Sequence, residues 1–102
     1  ENILISLAPV EEVSVTLLKS NPPQVNVHIR AGLADACTEF HDIEVTRAGD
    51  TVNIKVTVQR PKDAACAEIY RTFEKDINIG TDFTTGTTYT LNVNDYKTTF
   101  AY

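Results

Sequence analysis

The stretch FHDIEVTRAGDTVNIKVTVQR, Phe40 to Arg60, decides the fold. In its second half Val52, Ile54, Val56 and Val58 alternate without a break, and in its first half Ile43 and Val45 do the same. A period of two marks a strand with one buried face, so two strands flank Ala48-Gly49-Asp50. The inward positions are even on one arm and odd on the other, and both sets face one core only if opposed residue numbers sum to an odd value. A two-residue Gly49-Asp50 loop satisfies that condition, and glycine in first place suits a type II′ turn, which needs φ > 0 there. The register then sets Val45 against Ile54, Ile43 against Val56, and on the other face Glu44 against Lys55. Opposite charges at a directly facing pair agree with this choice, although they played no part in making it.

Carried backwards, the same register puts Glu39 opposite Arg60 and His41 at the rim of the core opposite Val58. It also brings Cys37 to the end of the hairpin from which Pro61–Cys66 departs. Cys37 and Cys66 are the two cysteines of the chain. A bridge between them would close 28 intervening residues, worth roughly 3 to 4 kcal/mol in the chain-entropy account. Two buried free thiols, or a reactive Cys37 beside His41, are the competing readings. With the bridge, the pair reads as a structural disulfide of an oxidising compartment.

Valine, isoleucine and threonine supply 32 of the 102 residues, a strand composition. The length fits a single β-sandwich domain over residues 1–102, with 1–9 an edge strand or a lead-in ending at Pro9. No apolar run approaches the roughly 18 residues of a membrane span. A net charge of −5 excludes the clustered basic surface that nucleic-acid binding draws on. The chain contains no methionine, even at position 1, which leads us to expect either a processed product, with a signal peptide or lipid-anchor segment removed upstream, or a segment that begins inside a longer product.

Along the rest of the chain, Val13, Val15 and Leu17 mark a strand, and Lys19–Pro23 a loop stiffened by two prolines. Val25, Val27, Ile29 and Ala31 form an inward row that leaves Asn26, His28 and Arg30 in solvent. Gly32–Ala36 reads as an irregular loop or a single helical turn, and Asp63–Ile69 as a helical turn from its alanines and glutamate. Ile69, Phe73, Ile77 and Ile79 share a face with Arg71 and Lys75, which signals a bulge or an edge strand. Tyr89, Leu91 and Val93 lead into Asn94-Asp95, a type I′ candidate that sets Tyr89 across from Phe100. Seven strands result, or eight if Ile3–Leu7 pairs. With no helical pattern to supply crossovers, they make an all-β, antiparallel two-sheet sandwich, a small barrel being the alternative.

The segment FTTGTTYTLNV, Phe83 to Val93, resembles the entry to the sixth strand of fibronectin type III and related immunoglobulin-like domains. The resemblance implies a structural tyrosine corner at Tyr89, its hydroxyl bonded to backbone upstream. It spans eleven residues and departs from the family's pattern: Thr85 stands where a proline is usual, the chain has no tryptophan, and the cysteines lie outside the inter-sheet positions of antibody domains. As a whole the chain looks like an immunoglobulin-like module of an uncharacterised prokaryotic secreted or lipid-anchored protein, a resemblance that carries a fold and no activity.

Catalytic chemistry is thin. No Gly-x-Ser-x-Gly elbow occurs, and neither histidine has a nucleophile assigned to it. Asp42 and Glu44 stand roughly 6 to 7 Å apart on one strand face, but with Lys55 and Arg47 near they read as a charged solvent face and not as a glycosidase pair. The cysteines lack zinc spacing, and Asp76, Asp82 and Asp95 offer at most a weak ion site at loops. We therefore expect no enzyme, no cofactor and no metal, but a monomeric, extracytoplasmic binding or spacer module with an unknown partner. The alternative is a secreted hydrolase inhibitor that uses Ser20–Gln24 or Thr81–Gly86 as stiff wedges.

Overall fold

The computed structural model describes residues 2–102. Eight strands fill most of it: β1 (Ile3–Leu7), β2 (Val10–Leu18), β3 (Gln24–Leu33), β4 (Glu39–Ala48), β5 (Thr51–Pro61), β6 (Arg71–Gly80), β7 (Thr88–Val93) and β8 (Tyr96–Ala101). One sheet has the order β2-β3-β6; the other joins β4, β5, β7, β8 and β1. The two pack face to face as a sandwich. Inward rows of β3 (Val25, Val27, Ile29) and β5 (Val52, Ile54, Val56) meet Leu91 and Val93 of β7 at almost complete burial. The alternation that marks β3 and β5 in sequence is thus the two inner faces of the core.

Every pairing is antiparallel except one: β7 runs parallel to β5, Thr51 to Ile54 lying beside Thr90 to Val93. This departs from the all-antiparallel expectation and gives β5 a divided edge. Its first half pairs with β7, its second half, Thr57 to Pro61, with β1, while β4 covers its other side from Thr51 to Gln59. Asn94 closes the gap between the two partial neighbours. Its backbone N–H donates to the Ile54 carbonyl at 3.0 Å. Its Oδ1 accepts from the Val56 N–H at 2.9 Å, and its Nδ2 donates to the carbonyls of Ala8 (2.7 Å) and Val56 (3.0 Å). A side-chain amide here does the work of a missing peptide group.

The β4–β5 register is as read: Ile43 faces Val56, Glu44 faces Lys55 and Val45 faces Ile54, around a two-residue turn with Gly49 at φ +60°. It slips at His41, where a bulge puts Phe40 opposite Val58 and Glu39 opposite Gln59, not Arg60. Phe40 packs edge-on against Phe73, centroids 5.6 Å apart, with the Lys75 ammonium 4.3 Å above its ring. A large aromatic gains more from the inward place than an imidazole does, so the extra residue is expelled outward.

Other differences from the sequence reading have similarly local causes. Gly32 and Leu33 continue β3 instead of forming a loop; a Cβ on Gly32 would lie 2.0 Å from the Tyr70 hydroxyl, so a larger residue there would displace that ring. Residues 64–70 form no helical turn: an isolated turn has little stability of its own, and next to the Cys37–Cys66 bridge the Ala67 carbonyl accepts from the Ala36 N–H at 2.9 Å instead. The Asn94-Asp95 turn has positive φ only at Asn94 (53°), so it is not type I′, yet Tyr89 does face Phe100, stacked at 5.5 Å. β6 is an edge strand with a bulge at Ile79, and its two inward charges are engaged, Lys75 on Phe40 and Arg71 on the carbonyls of Asp35 and Thr38.

Two stability predictions follow from these contacts. Asn94→Gly keeps the backbone but leaves the buried Val56 N–H without its acceptor, and should cost about 2 kcal/mol in urea unfolding; Asn94→Ala should cost about 1 kcal/mol more, for the positive φ. Removing both cysteines, as Cys37→Ala with Cys66→Ala, should lower stability by roughly 3 kcal/mol with the native spectrum retained, since they stand 29 positions apart in sequence. A loss below about 1 kcal/mol would show the bridge to be incidental.

Candidate functional site

The outer face of the five-stranded sheet is laid out by its registers. Ala48, Thr51, Thr90 and Thr99 form one row and Thr46, Asn53, Asn92 and Lys97 the next. Below them stands Glu44 beside Lys55, then Asp42, Thr57 and Leu7, then Glu39, Gln59 and Ile5. The face is therefore polar in its middle and apolar where β1 begins. Asn92 donates to Asn53 at 3.0 Å, a side-chain bond across β5 and β7 within the second row. An open trough of about 430 Å³ runs over Glu44, Thr46, Asn53, Lys55 and Asn92 to Leu7.

His41 borders a smaller depression of about 120 Å³ with Ile5, Asp42, Glu44, Lys55 and Thr57. That is well under the several hundred Å³ of an ordinary small-molecule site. The Thr57 hydroxyl lies 3.2 Å from the Asp42 carbonyl, to which it donates its one proton, so the His41 Nδ1, 2.9 Å from Thr57 Oγ1, is the donor of that contact. Asp42 accepts from the Ile43 N–H at 2.8 Å. Arg47, expected beside these carboxylates, points to the opposite face: its guanidinium lies 4.4 Å over the Phe83 ring and bonds the Asp82 carbonyl.

Cys37 and Cys66 are joined, their Cα atoms 5.8 Å apart. Asp35 organises the turn before the bridge, accepting from the Cys37 N–H (3.0 Å) and the Thr38 hydroxyl (2.7 Å), with Arg60 Nε 3.1 Å away. The Thr38 hydroxyl first, then the Cys37 N–H and the Arg60 charge, hold the Asp35 carboxyl below its ordinary pKa. Arg60 also reaches the Ala64 carbonyl and Cys66 Sγ, so one ion pair spans both sides of the bridge. The Tyr89 hydroxyl accepts from the Thr84 N–H at 2.7 Å, and its ring meets Phe83 edge-on at 5.0 Å.

The three aspartates expected at loops do not gather, and Asp76 lies within β6, opposite His28. Asp76 holds His28, Asp82 faces Arg47, and Asp95 sits in the β7–β8 turn. His28, on the outer face of the other sheet, lies between Asp76 (Nδ1 2.7 Å) and Glu74 (Nε2 2.8 Å). The bond to Asp76 is the main reason its pKa is raised above 6.5, with Glu74 adding to it; reciprocally the His28 bond lowers Asp76 below 3.8.

What sequence reasoning missed is the exposure of β1. Ile3, Leu4, Ile5 and Leu7 are each about half exposed, at 49, 47, 50 and 52 %. Their alternation marks a strand correctly, but a strand apolar on both faces gives no sign of which face lacks a partner.

The raised His28 pKa fixes a sign for pH dependence. Its contribution to stability is complete below pH 6.5, where the ring is charged folded or unfolded, and fades as pH rises through the folded value. NMR titration should find His28 above 6.5 and bring it down in Asp76→Asn; a His28 midpoint at or below 6.5 would dissolve the pairing.

Among known proteins, residues 27–102 match the family described as the ORF11 beta-sandwich domain. An uncharacterized 10.2 kDa protein in the HgiCIIM 5′ region of Herpetosiphon aurantiacus is 41 % identical over 86 residues, 84 % of this chain and 90 % of that protein. A second from the same organism, in the HgiBIM 5′ region, is 42 % identical over 76 residues, 74 % of this chain and 92 % of its own. No solved structure matches. With three quarters of its length inside the family's match, the chain belongs to the ORF11 β-sandwich family.

Proposed function

We propose that the domain is a non-catalytic, extracytoplasmic binding module that works through the outer face and free edge of its five-stranded sheet. The observation that carries this reading is the row Ile3, Ile5 and Leu7, half exposed and continuous with the trough over Lys55 and Asn92. Apolar anchors beside a polar, amide-lined face are the usual make-up of a recognition surface. The non-catalytic part is supported at His41: its Nδ1 is a donor to Thr57, so the ring is not set to take that hydroxyl's proton. The bridge between Cys37 and Cys66 supports an oxidising compartment. The Tyr89 corner supports a relationship to fibronectin type III and immunoglobulin-like sandwiches, while the parallel β5–β7 pair sets the domain apart from them.

A second reading, an inhibitor that presents rigid loops to a hydrolase, is favoured by one contact. The Tyr102 hydroxyl donates to the Pro23 carbonyl at 2.5 Å and lies 3.5 Å from that of Thr81, which brings the two candidate loops together at one end. Phe83 anchors the second loop among Tyr89, Phe100 and Tyr102.

Selection from a phage-displayed library of random linear peptides distinguishes the two. On the sheet reading, selected peptides shift amide resonances of Ile3–Leu7 and Glu44–Thr57, and Ile5→Lys weakens them about tenfold or more. Shifts confined to residues 20–24 and 81–86 would transfer the site to the loops.

A further inference from the structure

We propose that the free edge of β1 is a self-association surface, on which two copies of this chain pair β1 to β1, antiparallel, about a twofold axis at Ile5. The proposal rests on the binding-module reading in placing the working surface at β1, and goes beyond it in naming the partner.

The backbone decides which groups are free. The Ala8 N–H donates to the Val56 carbonyl at 3.0 Å, and the Lys62 N–H donates to the Asn2 carbonyl at 2.7 Å. Even-numbered residues of β1 are therefore the ones whose peptide groups face β5. In an antiparallel ladder the alternate residues point the other way, so the N–H and C=O groups of Ile3, Ile5 and Leu7 point to the open side. No backbone partner meets them among the described residues. Ile3, Ile5 and Leu7 also share the outer face, where they sit beside Pro61, Gln59 and Thr57 of β5.

Charge selects the occupant. Each of the other edge strands carries ionised side chains: Glu11 and Glu12 on β2, Glu44 on β4, Glu74 and Asp76 on β6, Lys97 on β8. Such charges discourage strand addition. β1, reading ILISL, has none. A second β1 is complementary to it without any further requirement. With Ile5 facing Ile5 of the other copy, Ile3 faces Leu7 and Leu7 faces Ile3, so all three outward residues of each strand exchange hydrogen bonds with the three of the other. The apolar row then runs unbroken across the axis, no like charges meet within the strands, and the two five-stranded sheets become one continuous sheet.

Size sets the strength. Five residues from each copy are far fewer than the roughly 20 to 30 a side of a stable interface, so the dimer dissociates on dilution. Each copy carries a net charge of −5, so added salt, which screens the mutual repulsion, favours it.

Sedimentation velocity from about 10 μM to 1 mM is the test, together with amide exchange. The wild type should shift from monomer to dimer across that range, more completely at higher salt. Exchange at Ile3, Ile5 and Leu7 should slow with concentration, while Leu4 and Ser6, already bonded to β5, change little. Ile5→Lys and Ile5→Glu, both at a half-exposed position, should each stay monomeric, because the axis sets like charges opposite one another. Mixed in equal amounts they should associate, since the same axis then opposes unlike charges. A wild type that remains monomeric at about 1 mM overturns the proposal. So does a dimer whose concentration-dependent protection lies outside β1, or one that Ile5→Lys and Ile5→Glu leave intact. A monomer whose β1 still binds selected linear peptides overturns the dimer alone and leaves the binding module standing.

Discussion

The structure depends on how β5 divides one edge between two partners. A strand of eleven residues, Thr51–Pro61, carries β4 along one side, while β7 and β1 share the other. Neither is long enough to cover it, and they run in opposite directions relative to β5. The junction exposes a peptide group at Val56, a fully buried residue, and an unpaired buried N–H is costly. Asn94 resolves this because an asparagine side chain carries the donor and acceptor of a peptide unit and tolerates the positive φ the turn needs. One residue thus terminates β7, starts the turn to β8 and joins β1 to the sheet through Ala8.

How much of this could be read in advance varied with how local the cause was. The β4–β5 register was legible because Val52 to Val58 alternate next to a glycine-led turn, so periodicity and turn chemistry agree. The bulge at His41 was not, because a parity rule assumes an unbroken ladder, and the break comes from Phe40 finding Phe73 on another strand. The same holds for Asn94, whose partners Ala8 and Val56 lie 86 and 38 residues away. Parallel pairing of β5 with β7 has no local signature either: the side chains of β7 alternate identically whichever way the neighbour runs. Alanine-rich 63–69 misled for the opposite reason, since a weak helical preference is overridden once a bridge and the Arg60 contacts fix the segment.

The candidate surface divides along the same line. Its polar centre follows from sequence, since the outward residues of β5 are Thr51, Asn53, Lys55 and Thr57 wherever the strand is placed. Its apolar margin does not. Ile3, Ile5 and Leu7 alternate as an inward row would, and only their pairing with Pro61, Gln59 and Thr57 sets them on the outer face at the sheet's edge, half exposed.

That margin also lies beside the bridge and the Asp35–Arg60 ion pair. The segment of β5 against which β1 pairs, Thr57 to Pro61, ends beside the Cys37–Cys66 bridge, and Ile3 shares a shallow hollow with Cys37, Glu39 and Pro61. Arg60, between Asp35, the Ala64 carbonyl and Cys66, fixes the same end from within. A crosslink and an ion pair at that end limit the conformational freedom of the chain around Thr57 to Pro61, the segment to which β1 is bonded. The bridge and the exposed edge are therefore neighbours in the fold: the segment entering β4 and the segment leaving β5 are tied together at the end of β5 where β1 pairs.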